Sequence, residues 1–209
     1  MDYIRLDMST YKRKSHFEYF KSMAYPYVGT TVNVDITGFL EKVKKEGFPF
    51  FLSFCYCVQE AAGSVPELRQ RISDDGIIEF ARCRTSHTVA LEDGTYCYCT
   101  LDGKMPFPDY IPYAVKEQEK ARAQSSIEEE SEDVQDMIFI STVPWITFTS
   151  LVQPVPMPAD SNPRITWGRH FVQEGRTLMP VAVLCHHALV DGAHIGQFYK
   201  ALEKSMENL

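Results

Sequence analysis

Cys185-His186-His187-Ala188-Leu189-Val190-Asp191-Gly192-Ala193-His194 is the stretch around which the rest of the chain is organised. The apolar run before it, residues 178–184, predicts a buried strand. Apolar residues with helical spacing follow it, namely Ile195, Phe198, Tyr199, Leu202 and Met206. His187 is therefore expected near the end of a strand, and Asp191 and Gly192 in the turn that opens a helix. A glycine beside the aspartate suits a tight turn, so the stretch predicts an ordered His/Asp site.

Length and composition indicate one globular domain covering residues 1–209. The chain is 44% hydrophobic, which is ordinary for an enzyme with a substantial core. Its net charge of -7 argues against nucleic acid or an anionic membrane as a partner. No apolar run approaches the ~20 residues that span a bilayer, and residues 1–5 lack signal-peptide organisation. We therefore expect a soluble, cytoplasmic protein.

The six cysteines do not suggest a metal or redox site. Cys55 and Cys57 form one C-x-C pair, Cys97 and Cys99 form another, and the remaining two are isolated. There is no C-x-x-C spacing of the kind that zinc and redox sites use. Reduced, mostly buried thiols are the expectation, with no metal bound.

Periodicity along the chain predicts an α+β fold with a mixed β-sheet flanked by helices. Helices are predicted over residues 7–20, 36–46, 48–62 and 113–124. A further helix is predicted after the turn at residues 191–192. Predicted strands are residues 28–34, 77–82, 87–92, 95–100, 137–141, 145–152, 164–172 and 178–184. Asp93-Gly94 is the turn type that joins a hairpin, and a proline-rich loop is expected over residues 154–163.

The His-His-x-x-x-Asp-Gly pattern resembles the signature of CoA-dependent acyltransferases. Chloramphenicol acetyltransferases, lipoyl-dependent acyltransferase cores and condensation domains share it, so alone it indicates a reaction class. The whole chain is similar to the chloramphenicol acetyltransferase family, in order and approximate spacing. The matching stretches are residues 13–18, 34–37, 66–69, 141–145, 165–168, 178–180 and 186–194.

This resemblance implies a trimer with active sites at the subunit boundaries and acetyl-CoA as co-substrate. In the family pattern, His187 is the general base, a role that suits an imidazole near neutral pH. Ser141 donates a hydrogen bond to the tetrahedral oxyanion, and Thr166 supports the intermediate through a water molecule. Asp191 pairs with Arg13 and holds the catalytic loop in place. His186 and His194 are expected to be structural.

Substrate-binding residues are also implied by the resemblance. The acceptor pocket is expected to contain Tyr19, Phe20, Tyr25, Tyr96, Leu151 and Val155. Trp145 and Arg169 match positions that approach CoA, where Arg169 would pair with a phosphate. The chain departs from the family pattern at Gln153, Pro154 and Pro156, and in the acidic run at residues 128–133. These departures favour a reshaped pocket and weaker acetylation of chloramphenicol than in close relatives.

Three functions remain open from the sequence. The first is an O-acetyltransferase acting on chloramphenicol or another small hydroxyl compound. The second is a lipoyl-type acyltransferase core, which the match at residues 13–18 disfavours. The third is a non-catalytic relative that binds a small molecule, which the retention of His187, Asp191, Ser141 and Arg13 disfavours.

Overall fold

The computed structural model describes residues 2–74, 76–124 and 134–209. The acidic run at residues 128–133 therefore lies outside the described residues. Strands are β1 (Tyr3–Arg5), β2 (Tyr27–Asp35), β3 (Gln70–Ser73), β4 (Gly76–Phe80), β5 (Arg84–Ala90), β6 (Tyr96–Leu101), β7 (Met137–Val143), β8 (Arg164–Gly168), β9 (Phe171–Gln173) and β10 (Arg176–His186). Helices are α1 (Lys14–Lys21), α2 (Thr37–Glu46), α3 (Phe50–Gly63), α4 (Pro66–Arg69), α5 (Phe107–Gln124) and α6 (Gly192–Glu207).

The large sheet is mixed and has the strand order β2-β10-β8-β7-β5-β6, with β9 pairing to β10. Strands β5, β7 and β8 run parallel to one another. Strand β10 is antiparallel to both β2 and β8, and β6 is antiparallel to β5. A smaller antiparallel sheet has the order β1-β4-β3. Together with the helices, this arrangement confirms the predicted α+β class.

One face of the large sheet packs against helices. Along β10, Val181, Val183 and Cys185 alternate with residues of the opposite face, as side chains of a strand must. These three residues are buried in the same cluster as Phe54 of α3 and Phe198 of α6. Burying such residues under the helices contributes hydrophobic stabilisation to the fold. It also fixes which residues of each strand point to the other face.

The opposite face carries the polar residues of interest and is contacted by an irregular segment, residues 144–163. At Gly168 an added Cβ would come within 2.8 Å of the Phe148 ring and 2.9 Å of the Ile146 carbonyl oxygen. Glycine at this position therefore lets the segment lie directly on the end of β8.

The predicted strand at residues 145–152 is wrong. Pro144 follows the end of β7, and the neighbouring positions beside β7 are already filled by β5 and β8. The segment therefore runs over the sheet, where the Trp145 side chain is 74% exposed and Val152 is 93% exposed. Local alternation of apolar residues satisfied the strand pattern without a partner strand being available.

Other boundaries differ more modestly. Helix α5 begins at Phe107 rather than residue 113 and contains Pro112, because burial of Tyr110 outweighs the backbone hydrogen bond that proline removes. The predicted strand at 164–172 is divided into β8 and β9 at residues 169–170. Strands β1 and β3 were not predicted, since each is short and shows little alternation.

All six cysteines are free and buried, as predicted. Burial raises the pKa of the Cys57, Cys99 and Cys185 thiols to about 12, so they stay protonated at neutral pH. They belong to the core and are poor nucleophiles. Among the helices that the structure describes, none is long and apolar enough to cross a bilayer.

Candidate active site

The motif of residues 185–194 forms a short loop between β10 and α6. The strand ends at His186, and the His187 amide donates a hydrogen bond to the Pro26 carbonyl oxygen at 2.7 Å. Asp191 is the N-cap of α6, where its side chain accepts a hydrogen bond from the Ala193 amide at 3.0 Å. A capped helix on one side and a sheet strand on the other hold both ends of the loop.

The imidazole of His187 has a defined tautomer. Its Nδ1 lies 2.8 Å from the Val190 carbonyl oxygen. A carbonyl oxygen only accepts, so Nδ1 carries the hydrogen and donates it. In the neutral ring, Nε2 then has a lone pair and no hydrogen. This is the arrangement that a general base needs.

Helix α1 supplies an aromatic support for the same ring. Phe20 stacks on His187 with ring centroids 3.8 Å apart and an interplanar angle of 23°. Tyr19 contacts Phe20 edge-on at 5.1 Å, and its side chain is 63% exposed. Tyr25 is also exposed and packs against Tyr27. Three of the residues predicted for the acceptor pocket therefore lie close to His187 in space, although they are distant from it in sequence.

Arg13 bridges two points of the loop. Its Nη2 lies 3.1 Å from Asp191 Oδ2, and its Nη1 donates a hydrogen bond to the Leu189 carbonyl oxygen. Burial raises the pKa of Asp191, but the neighbouring His194, the Ala193 amide and the Arg13 guanidinium outweigh it, so the net pKa is lowered. Asp191 is thus ionised at neutral pH, beside a guanidinium that carries a permanent charge.

His186 has a different environment from its neighbour. Its side chain is buried, and burial lowers its pKa to about 4, so it is neutral at physiological pH. Its Nδ1 accepts a hydrogen bond from the Ala188 amide at 3.2 Å. Close to it, Tyr27 and Arg164 both bond the carboxylate of Asp160. His186 therefore has the contacts of a structural residue.

A second cluster lies on the sheet face opposite the helices. Ser141 of β7 and Thr166 of β8 are paired in register on neighbouring parallel strands, which places their side chains on the same face. Thr166 is buried, and its hydroxyl donates a hydrogen bond to Gln153 Oε1 at 3.1 Å. Ser141 is half-buried, and a serine hydroxyl has one hydrogen that it can donate.

The two clusters are far apart within one chain. Ala182 of β10 pairs with Thr166, which pairs with Ser141, so Ser141 lies two strand spacings, ~10 Å, from Ala182. His187 is five positions beyond Ala182, or ~17 Å along the strand direction. Their Cα atoms are thus roughly 19 Å apart. A base and an oxyanion donor must each approach the reacting atoms to about 3 Å, so the His187 and Ser141 of a single chain cannot act on the same acetyl group.

The remaining predicted residues lie in the irregular segment, on the edge strand β6, or just after the ends of β7 and β8. Leu151 and Val155 are half-buried in the irregular segment on either side of Gln153. Tyr96 is exposed on β6, the edge strand at the far side of the sheet from β2. Trp145 and Arg169 follow the ends of the neighbouring strands β7 and β8, and the Arg169 amide donates to the Ile146 carbonyl oxygen at 2.8 Å. Both side chains are exposed.

Sequence reasoning missed several contacts that define the site. The carbonyl oxygen of Val190 sets the tautomer of His187, and a backbone group leaves no signal in the sequence. In the cluster beside His186, Tyr27 bonds Asp160, which is 133 positions away along the chain. Gln153 was noticed only as a departure, and its bond to Thr166 was not foreseen. The closely spaced groups of His, Cys, Asp and Glu that hold a metal ion are not found in the described parts of the chain.

Comparison with known proteins places the chain in a family. The model of the family described as chloramphenicol acetyltransferase matches residues 1–203. A chloramphenicol acetyltransferase from a Klebsiella species is 28% identical over 204 residues, covering 97% of this chain and 93% of that protein.

Solved structures show the same fold. A chloramphenicol acetyltransferase superposes with a TM-score of 0.85 at 24% identity, covering 97% of this chain and all of the other. A probable dihydrolipoamide acetyltransferase from Listeria monocytogenes superposes with a TM-score of 0.68 at 18% identity, covering 98% and 94% of the two chains. With a family match over nearly its whole length, this acyltransferase belongs to the chloramphenicol acetyltransferase family.

Proposed function

We propose that the protein transfers the acetyl group of acetyl-CoA to a hydroxyl group of chloramphenicol, with His187 as the general base. The observation that carries this proposal is the bond from His187 Nδ1 to the Val190 carbonyl oxygen. It leaves Nε2 free to accept a proton, and the stacked Phe20 ring restricts reorientation of the imidazole. The names of the relatives support chloramphenicol as acceptor.

The reaction has two proton transfers and one acyl transfer. Nε2 of His187 takes the proton of the acceptor hydroxyl while the hydroxyl oxygen attacks the thioester carbonyl carbon. The resulting oxyanion receives a hydrogen bond from Ser141, a contact typically worth ~3 kcal/mol of barrier. Thr166 supports the intermediate through water. The carbon–sulfur bond then breaks, and His187 returns the proton to the CoA sulfur, which leaves free thiol and acetylated acceptor.

The active site is completed by a second copy of the chain in a trimer. The separation of roughly 19 Å between His187 and Ser141 supports this assembly, since one chain cannot bring both groups to one acetyl group. In this arrangement the sheet face that carries Ser141 in one subunit meets the loop of residues 185–194 of its neighbour. Trp145 and Arg169, exposed at one end of that face, bind CoA.

Release of free thiol from acetyl-CoA tests the activity. We expect release with chloramphenicol, little with dihydrolipoamide, and loss by several orders of magnitude in His187→Ala. His170→Ala is the matched control, because this histidine is exposed on the turn between β8 and β9. A folded protein that binds acetyl-CoA and transfers nothing to chloramphenicol would remove this acceptor, and an active His187→Ala would remove the base.

Mixing two inactive variants tests the shared site. His187→Ala and Ser141→Ala chains are denatured together and refolded as a mixture. If each site takes its histidine from one subunit and its serine from the next, random trimers regain roughly a quarter of wild-type sites. No recovery above the two separate variants would show that each chain builds its site alone.

A further inference from the structure

We propose that Gln153 determines acceptor specificity, by donating a hydrogen bond to a second oxygen of the acceptor, next to the hydroxyl that is acetylated. The proposal rests on the proposed acetyl transfer and concerns the same site. It begins from the bond between the Thr166 hydroxyl and Gln153 Oε1 at 3.1 Å. A threonine hydroxyl has a single hydrogen to donate, and this bond uses it.

The bond also fixes the direction of the glutamine amide. With Oε1 held by Thr166, Nε2 and its two hydrogens point away from that hydroxyl. Among the residues that the structure describes, none accepts a hydrogen bond from Nε2. Thr166 itself is 2% exposed, so its hydroxyl is a stationary anchor for the amide. Gln153 thus offers a positioned donor that no described protein group uses.

The location of this donor connects it with the acceptor. Thr166 is the register partner of Ser141, the proposed oxyanion donor, and one strand spacing of ~4.8 Å separates the two residues. Along the irregular segment, Leu151, Gln153 and Val155 are half-buried, whereas the residues between them are exposed. Gln153 therefore points to the same side as the two apolar residues predicted for the acceptor pocket. On this side of the segment the side chains are therefore apolar at Leu151, polar at Gln153 and apolar at Val155.

This arrangement predicts the chemical class of the acceptor. An apolar compound would leave the glutamine N–H groups without a partner once the site closes over it, which weakens binding. A compound with a hydroxyl or carbonyl oxygen near the reacting hydroxyl satisfies them. The site should therefore prefer polyhydroxyl or carbonyl-bearing alcohols to simple alcohols of the same shape.

A matched pair of acceptors tests the proposal. Chloramphenicol carries a secondary hydroxyl besides the primary one, and its deoxy analogue lacks only the secondary hydroxyl. We expect wild-type kcat/KM to favour chloramphenicol by ~10-fold. Gln153→Leu keeps the approximate volume without hydrogen bonding and should bring the ratio to about 1. Val152→Thr, at the exposed neighbouring position, should leave the ratio unchanged.

Gln153→Glu separates recognition from support of Thr166. Glutamate still accepts the Thr166 hydrogen bond but has no N–H group, so it should lose the preference as leucine does. If Gln153→Glu keeps the wild-type ratio, Gln153 only anchors Thr166 and the proposal falls. It also falls if the wild-type ratio is near 1 or if Gln153→Leu leaves the ratio unchanged.

Equilibrium dialysis of the same two compounds against the CoA-bound protein makes the test independent of turnover. A preference in binding that disappears in both Gln153 variants supports the role of Gln153 even if no acetyl transfer occurs. In that case the proposed function fails and the specificity proposal stands. Equal binding of both compounds to the wild type would overturn the specificity proposal alone.

Discussion

The contact between Arg13 and Asp191 allows a test in which only the charge is changed. Asp191→Asn keeps the shape of the side chain, and asparagine caps helices about as well as aspartate, so the bond from the Ala193 amide survives. What is lost is the negative charge, which acts on His194 at 3.2 Å and forms the ionic interaction with Arg13 at 3.1 Å. Arg13→Ala removes the same interaction together with the bond to the Leu189 carbonyl oxygen.

The size of the effect follows from the exposure of the two side chains. A full Coulomb interaction at this distance is several kcal/mol at an effective dielectric constant of about 20. Because the Asp191 side chain is 37% exposed and that of Arg13 is 19% exposed, we reduce this to about 1–2 kcal/mol. If the pair holds the loop in its catalytic position, Asp191→Asn should lower kcat/KM by roughly 5- to 30-fold. Arg13→Ala should be somewhat more damaging.

A double-mutant cycle on kcat/KM, read from thiol release, measures the coupling. We expect the double variant to cost about 1 kcal/mol less than the sum of the single variants. Lys14→Ala is the control, because this neighbouring cation is exposed and only reaches Glu18 at 3.9 Å. Additivity within about 0.3–0.5 kcal/mol would refute a functional pair.

Three further predictions concern the proposed oxyanion donor, a buried histidine and the assembly state. Ser141→Ala should lower kcat by ~100- to 1000-fold with little change in the KM for acetyl-CoA, and a loss under tenfold would contradict its oxyanion role. Burial, helped by the charge of Arg122, lowers the pKa of His87 to about 4, so the unfolded chain binds a proton between pH ~6.5 and ~4 that the folded chain does not. The contribution of His87 to the free energy of unfolding should therefore be complete above pH ~6.5 and fall on acidification, by ~2 kcal/mol at pH 5. In urea unfolding, the free energy of unfolding of His87→Gln should depend less steeply on pH than that of the wild type. An unchanged pH dependence would contradict this. Light scattering should give a trimer at concentrations where the enzyme is active, and an active monomer would refute the shared site.

The predicted features that hold are those fixed by local sequence. The strand before His187 and the helix after Asp191 were readable because hydrophobic periodicity and a capping residue act over a few positions. The strand assigned to residues 145–152 failed because a strand also needs a free neighbour, and strand order is a property of the whole sheet.

The roles within the site were less accessible from the residues alone. Ser141 and Thr166 are ordinary strand residues in the sequence, and only the family resemblance drew attention to them. The tautomer of His187 depends on a backbone oxygen, and the anchoring of Gln153 depends on how an irregular segment crosses the sheet. Such contacts arise from tertiary packing and leave no spacing pattern.

The loop of residues 185–194 is held in place by parts of the chain that are made at very different times. Arg13 and the Leu189 carbonyl oxygen that it bonds are 176 positions apart in sequence. Phe20 and His187, which stack on each other, are almost as far apart. During synthesis, helix α1 emerges long before its partners, and a ribosome adding ~5–20 residues per second leaves it without them for many seconds. His187 can therefore stack on Phe20 only after the chain has been made past residue 187, so a chain stalled before that point cannot form this contact.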